Sequence, residues 1–314
     1  AGSLRPGWRR AMGGRGLVIA AALLLSLAVG VGLSGSRPGA GGGQPGRSGG
    51  NHLPPSAPVA VDPNLPLFVG ASRRLAARAI DDTATAPLDG AVLGLARRFL
   101  GTRDRPTPPG AAPSERLVLD LTAVDGLSFV EQLLALVNSR QVSTRTEAAD
   151  RFSDHVRRLR YETGRVDACR RLWRPSLWAL AAERRGYLVH LTPFLPGAAA
   201  MRLTPVSSAR ATCSDSSAAE QVVTLATLSL QAAARVVPSL RSGDLVVLVS
   251  GDDRAQSERI GVLEITAGRP AVLLVEPGHG VVRHSDLFAL ARTGPGTIGL
   301  SFLRPVPQQA GPTP

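Results

Sequence analysis

The spacing of apolar residues changes period once along this chain, and that change limits the fold more than any other feature. Upstream, apolar residues recur at helical spacing. Leu88, Val92, Leu95 and Phe99 share one face, and Gly101 is placed to end the helix. Asp125 is a suitable N-cap, and Leu127, Val130, Leu134 and Val137 fall on one face of a helix expected over 126–138. Further helical patterns cover 71–80 and 218–236, and 116–121 is a brief strand candidate. Beyond residue 244 the apolar residues gather into short β-rich runs at 245–249, 260–265, 271–275 and 297–303, separated by Gly, Pro and Asp. These read as neighbouring antiparallel strands, with a helix at 285–291 inserted before the last. Helices first and a meandering sheet afterwards predict an α+β domain.

The first 66 residues follow different rules. Arg5, Arg9, Arg10 and Arg15 precede an uncharged apolar run from Leu17 to Leu33. A basic start before an apolar core fits a signal segment or a short membrane anchor with its N-terminus in the cytoplasm. Residues 1–35 are therefore read as that segment, and the Gly- and Pro-rich stretch 36–66 as a linker that cannot bury apolar surface. The folded part is expected over 67–304, followed by a disordered Pro-rich tail at 305–314. This organisation predicts an envelope protein, anchored with its main domain outside the cytoplasm, or secreted if the segment is cleaved. The net charge is +12, and every one of the 36 basic residues is arginine. Such a surface is either simply solvated or attracted to a polyanion such as anionic lipid or a cell-wall polymer. The arginines are scattered and aromatics are only 4%, so nucleic acid is not expected as a partner. Cys169 and Cys213 pair in an oxidising compartment or stand as two buried thiols.

Four segments resemble a known group. They are RFLGT at 98–102, ERLVLDLTAVDGLSFVEQLLALV at 115–137, LRYETGRVDACRRLWRPSLW at 159–178 followed by LTPFLPG at 191–197, and the stretch from Ser242-Gly243-Asp244 through IGVLEI to the final GLSFLR. Together they are similar to the N-acetylmuramoyl-L-alanine amidase-like bacterial family (domain of unknown function 1460), a branch of the NlpC-type papain-like cysteine hydrolases. The resemblance implies a papain-like fold in which N-terminal helices pack on a small antiparallel β-sheet or barrel. It also implies a nucleophilic cysteine at the head of the helix after Asp125, where unpaired N–H groups and the helix dipole stabilise a thiolate. A histidine on the first strands of the sheet would serve as its base, oriented by a third polar residue.

Two of these positions are replaced. Gly126 stands where the cysteine belongs, and Arg259 stands where the histidine belongs, just before Gly261-Val262. An arginine has no acceptor and stays protonated, so it cannot act as a general base. The third polar position falls near Val275 or Glu276. The resemblance thus implies a hydrolase scaffold without its nucleophile. Its old cleft would be bordered by Asp125, Gly126, Ser128, Arg171, Trp173, Arg259, Glu276 and His279. The expected partner is a peptidoglycan fragment or another envelope component, with Arg259 and Arg171 available to a ligand carboxylate. The alternative is an active cell-wall amidase or peptidase with a relocated nucleophile, Ser128 or Cys169. Ser128 more simply bonds the backbone in the first turn. His52, His155 and His190 are solitary, His284 lies near His279, and Asp252 and Asp253 read as an acidic loop tip. No metal spacing, nucleotide loop or serine nucleophile elbow is found, so no cofactor is expected.

Overall fold

The computed structural model describes residues 62–105, 115–140, 144–203, 222–251, 256–293 and 296–308. The basic and apolar N-terminal segment, the linker up to residue 61, His52, Cys213, Asp252 and Asp253 lie outside the described residues. Among the described residues, no helix is long and apolar enough to cross a membrane.

A short strand β1 (Leu67–Phe68) leads into helices α1 (Ser72–Thr83) and α2 (Leu88–Arg98), then strands β2 (Arg103–Asp104), β3 (Val118–Leu119) and β4 (Ala123–Val124). The helix expected after Asp125 forms as α3 (Gly126–Asn138), bounded where the cap and periodicity predict. Its start is fixed by a capping box. Asp125 Oδ1 accepts from Ser128 N at 2.7 Å, and Ser128 Oγ accepts from Asp125 N at 2.8 Å. Helices α4 (Arg145–Arg160) and α5 (Pro175–Arg184) complete the N-terminal group. Strands β5 (Leu188–His190), β6 (Ala199–Leu203) and β7 (Val223–Thr227) and helix α6 (Leu230–Val236) follow. The chain ends with β8 (Leu245–Gly251), β9 (Gln256–Thr266), β10 (Arg269–Glu276), β11 (Gly280–His284), α7 (Leu287–Arg292) and β12 (Thr297–Pro305).

The main sheet has six strands in the order β11-β10-β9-β8-β12-β5, with antiparallel pairing throughout. Its side chains alternate between two cores, as the pleat requires. Leu245, Val247, Val249, Val262 and Leu273 join the core built by α1–α5. Val246, Leu248, Leu263, Val272, Phe302 and residues of α6 and α7 form a second core on the other face. Burial on both faces explains why β8 reads as an unbroken apolar run instead of an alternating one. Gly243, just before β8, has φ +90° and lies so close to the Asp89 carbonyl that a Cβ would fall 2.5 Å from it. Asp244 then accepts Arg304 Nε and Nη2, both at 2.8 Å. The Gly243-Asp244 pair is thus a packing device.

Several expectations need correction. The helical pattern over 218–236 splits. Residues 223–227 form β7, whose burial alternates and whose threonines favour a strand. Helix α6 begins only after Ser229, whose side chain caps Ala232 N. The strand expected over 116–121 shrinks to β3, which pairs in parallel with β1. The folded part also reaches beyond 67–304. Asn64 accepts from Val166 N at 3.1 Å, Val306 N donates to the Tyr187 carbonyl at 3.0 Å, and Gln308 N donates to Asn138 at 2.7 Å. These bonds hold segments whose composition alone suggested linker and tail. Helix α4 escaped the sequence reading because its exposed face is so rich in Arg, Asp and Glu that its apolar stripe is narrow.

One ion pair lies inside the helical layer. Arg160 Nε donates to Glu131 Oε2 at 2.9 Å, with the side chains only 4% and 2% exposed, and Arg160 Nη1 donates to the Val118 carbonyl at 2.8 Å. Burial pushes the Glu131 carboxyl upward and the Arg160 guanidinium opposes that push. Removing one partner leaves an uncompensated buried charge. Glu131→Ala is expected to cost about 3–5 kcal/mol, read from urea unfolding midpoints, whereas exposed pairs such as Arg145–Asp81 contribute less than about 1 kcal/mol.

His155 on α4 carries a second prediction. Its Nδ1 lies 2.6 Å from the Tyr187 hydroxyl, and burial lowers its pKa from 6.5 to about 4, with Arg158 adding to the effect. Because the folded pKa lies below the unfolded one, the unfolded chain takes up the proton first as pH falls. The contribution is whole above pH 6.5 and drains between there and about 4, by up to roughly 1.4 kcal/mol per pH unit. His155→Gln is expected to flatten that part of the stability–pH curve, measured by denaturant titration at several pH values.

Candidate functional site

A groove of about 350 Å³ opens at the head of α3. Its floor is Asp125, Gly126, Leu127 and Ser128, with Glu131 one turn further along. Arg171, Leu172, Trp173 and Pro175 form one wall, in the segment that leads into α5. Glu258, Arg259 and Ile260 of β9, with Val275 and Pro277 at the end of β10, form the other. Of the residues predicted from sequence, Asp125, Gly126, Ser128, Arg171, Trp173 and Arg259 all border this groove. Glu276 stands behind Arg259. His279 does not line it. It is exposed in the turn between β10 and β11, with its backbone N–H bonded to the Glu276 carbonyl.

Gly126 is the first residue of α3. A Cβ built on it meets nothing within 4 Å, and its backbone is not in the left-handed region, so the glycine is required neither by packing nor by conformation. The N–H groups of Gly126 and Leu127 have no acceptor among the described residues, as expected for the first turn of a helix. Ser128 is committed to the capping box, and none of the described histidines is within hydrogen-bond reach of it.

The charges around the groove are matched internally. Arg171 Nη1 donates to Glu115 Oε1 at 2.9 Å, the same oxygen that accepts the Tyr161 hydroxyl, and its guanidinium lies 4.0 Å from the Trp173 ring centroid. Arg259 Nη1 donates to Glu276 Oε1 at 3.0 Å, and His284 Nε2 lies 3.1 Å from that oxygen. Glu258 accepts Arg174 Nε and Nη2 and both the N–H and the hydroxyl of Ser176. Arg171 and Arg259, read from sequence as available to a ligand carboxylate, each hold a glutamate of this chain. Glu115, Glu258 and Ile260 were missed from sequence.

Other candidates do not form a site. Cys169 is disulfide-bonded and offers no thiolate, and Cys213 lies outside the described residues. His190 Nε2 meets Ser301 Oγ at 2.7 Å, the separation of a base and a nucleophile. Both side chains are buried, with Ser301 at 0% exposure, so a substrate has no access to them. Among the described residues, no cluster of three or more His, Cys, Asp or Glu side chains is arranged to hold a metal. A larger hollow of about 920 Å³ lies between α1 and α4. It is bordered by exposed arginines and aspartates of those helices and by none of the predicted site residues. We therefore take the groove at α3 as the candidate site.

No family model and no curated protein matches this sequence. Solved structures do match. An N-acetylmuramoyl-L-alanine amidase from Bacteroides uniformis superposes with a TM-score of 0.61 at 17% identity, covering 70% of this chain and 99% of that one. A Legionella pneumophila protein of the family DUF1460 superposes with a TM-score of 0.58 at 14% identity, covering 76% of this chain and 96% of that one. At such identities the likeness establishes the architecture: this chain shares the mixed helix-and-strand fold of these amidase-like structures.

Proposed function

We propose that the groove is the ligand site of a cell-envelope module built on a papain-like, NlpC-type hydrolase scaffold, and that the module binds peptidoglycan fragments without cleaving them. One observation carries this reading. The head of α3 faces the groove with a glycine and open space, while the opposite wall presents Arg259, tied to Glu276. Among the described residues no thiol and no imidazole borders the groove, and its hydroxyl and its buried glutamates are engaged elsewhere. Hydrolysis of this type needs a nucleophile beside a base, and neither is at hand. The likeness to an N-acetylmuramoyl-L-alanine amidase supports this ligand class. The disulfide at Cys169 and the basic, apolar N-terminal segment support a place outside the cytoplasm. The alternative, an active enzyme using Ser128 or Cys169, has less support, because one is a helix cap and the other a disulfide.

Two experiments test the reading. Muropeptides incubated with the protein are expected to bind, as read by calorimetry, and to emerge chemically unchanged by mass spectrometry. Gly126→Phe, which fills the groove without clashing at Cβ, is expected to weaken binding at least about tenfold. Cleavage products abolished by Ser128→Ala would overturn the proposal. Separately, Gly126→Cys is expected to fold normally and to present a thiol reactive at neutral pH, with a pKa below the usual value of about 8.5. Iodoacetamide reaction rates across a pH series measure this. A buried, unreactive thiol would show that Gly126 does not face the groove.

A further inference from the structure

We infer that the hollow between α1 and α4 is a second binding site, and that it takes a phosphodiester-linked polyol chain. The site is separate from the groove at α3 and does not depend on how that groove is read. The hollow measures about 920 Å³ and is lined chiefly by charged side chains over small residues such as Ala77 and Ala149. Its carboxylates are already taken. Arg145 Nε lies 3.3 Å from Asp81 Oδ2, and Arg98 pairs with Asp82. Arg73 reaches Asp150 only at 3.8 Å, with both side chains more than half exposed. Arg74 and Arg78 meet no acid among the described residues, so two guanidinium groups stand unpaired in the lining. Folding gives no account of them. Helices α2 and α4 carry an acid in the first turn and arginines in the last, as the macrodipole favours. Helix α1 has the opposite order, with Arg73 and Arg74 in its first turn and Asp81 and Asp82 in its last. Arg74 and Arg78 are also spaced at i,i+4, where like charges repel. An anion in the hollow relieves that repulsion.

The shape and lining select the anion. A guanidinium fork gives paired N–H donors to phosphate oxygens, and the tetrahedral phosphate lets the neighbouring Arg73 and Arg74 approach from different sides. Arg74 and Arg78 stand about 6 Å apart along the helix axis, so each can hold its own phosphate of one chain. A single phosphate would leave most of the hollow unfilled, which favours an oligomer. Among the described residues no aromatic ring and no large apolar side chain borders the hollow. Nucleotide bases would therefore find nothing to stack on, and nothing there would enter a bilayer.

The test is calorimetry on the full chain at low salt, with a synthetic glycerol phosphate hexamer and with glycerol 3-phosphate. The hexamer is expected to bind at least about tenfold more tightly than the monomer. Arg74→Ala/Arg78→Ala is expected to weaken hexamer binding at least about tenfold while keeping the urea midpoint, since α1 loses a repulsion. Arg235→Ala/Arg292→Ala removes the same charge from two exposed arginines on α6 and α7, and is expected to leave hexamer binding unchanged. Equal losses in the two double variants would show that net charge attracts the polymer without the hollow, and would overturn the inference. Failure of the hexamer to bind, or equal binding of the monomer, would do the same. Displacement of the hexamer by oligogalacturonate, by oligothymidylate or by phosphatidylglycerol vesicles, at equal charge concentration, would give the arginines a different partner and also overturn it.

Discussion

The buried contact between Glu131 and Arg160 organises the site. Glu131 lies one turn and a half along α3 from Gly126, and Arg160 is the last residue of α4. Because two charges removed from water must be satisfied completely, this pair fixes the two helices against each other and against the Val118 carbonyl of β3. The consequence travels outward. The Arg160 carbonyl accepts from Leu172 N at 2.9 Å, and Tyr161 bridges Arg171 in antiparallel fashion. The segment bearing Arg171, Leu172 and Trp173 is thereby hung from the end of α4, which is itself locked to α3. One wall of the groove is set by a buried ion pair between α3 and α4.

The other wall is set by the sheet. Arg259 pairs in register with Leu248, and Gly261 follows two residues later on the same strand. A side chain on Gly261 would collide with the Leu273 carbonyl of β10 at 2.6 Å, so the close approach of β9 and β10 depends on that glycine. Close approach brings Glu276, at the end of β10, within reach of Arg259. Glu258, on the opposite side of the strand, turns inward to Arg174 and to the first turn of α5. Adjacent residues of β9 thus make different ties, Glu258 to the helical layer and Arg259 to the next strand of the sheet.

Much of this was legible locally. Asp125, the apolar stripe behind it and Ser128 fix the start and the face of α3 within a few residues, so the sequence places Gly126 at a helix head without any knowledge of the tertiary structure. That Gly126 and Arg259 border one groove was legible only through resemblance, because no local rule connects positions so far apart. What could not be read was pairing at long range. Glu115 meets Arg171 across 56 positions and Glu276 meets Arg259 across 17, and neither separation leaves a periodic trace. The two arginines therefore looked available when the fold had already used them. β7 was misread for a different reason: its alternation is short, and the helix-favouring alanines that follow it in α6 extend the wrong period backwards.

The same geometry explains how the residue at the head of α3 can vary while the fold is kept. Positions differ in what they hold up. Gly243 and Gly261 sit where any side chain collides with backbone, and Glu131 sits where any loss strands a buried guanidinium. A Cβ at position 126 would meet nothing within 4 Å outside its own helix, so side-chain packing there contributes little to stability. Arg259 likewise packs on the rim, 31% exposed, against a carboxylate that would serve an imidazole as readily as a guanidinium. Folding alone therefore places little demand on Gly126 and Arg259. If these positions drifted, the cap, the buried pair and the close strand contacts would still hold the groove open.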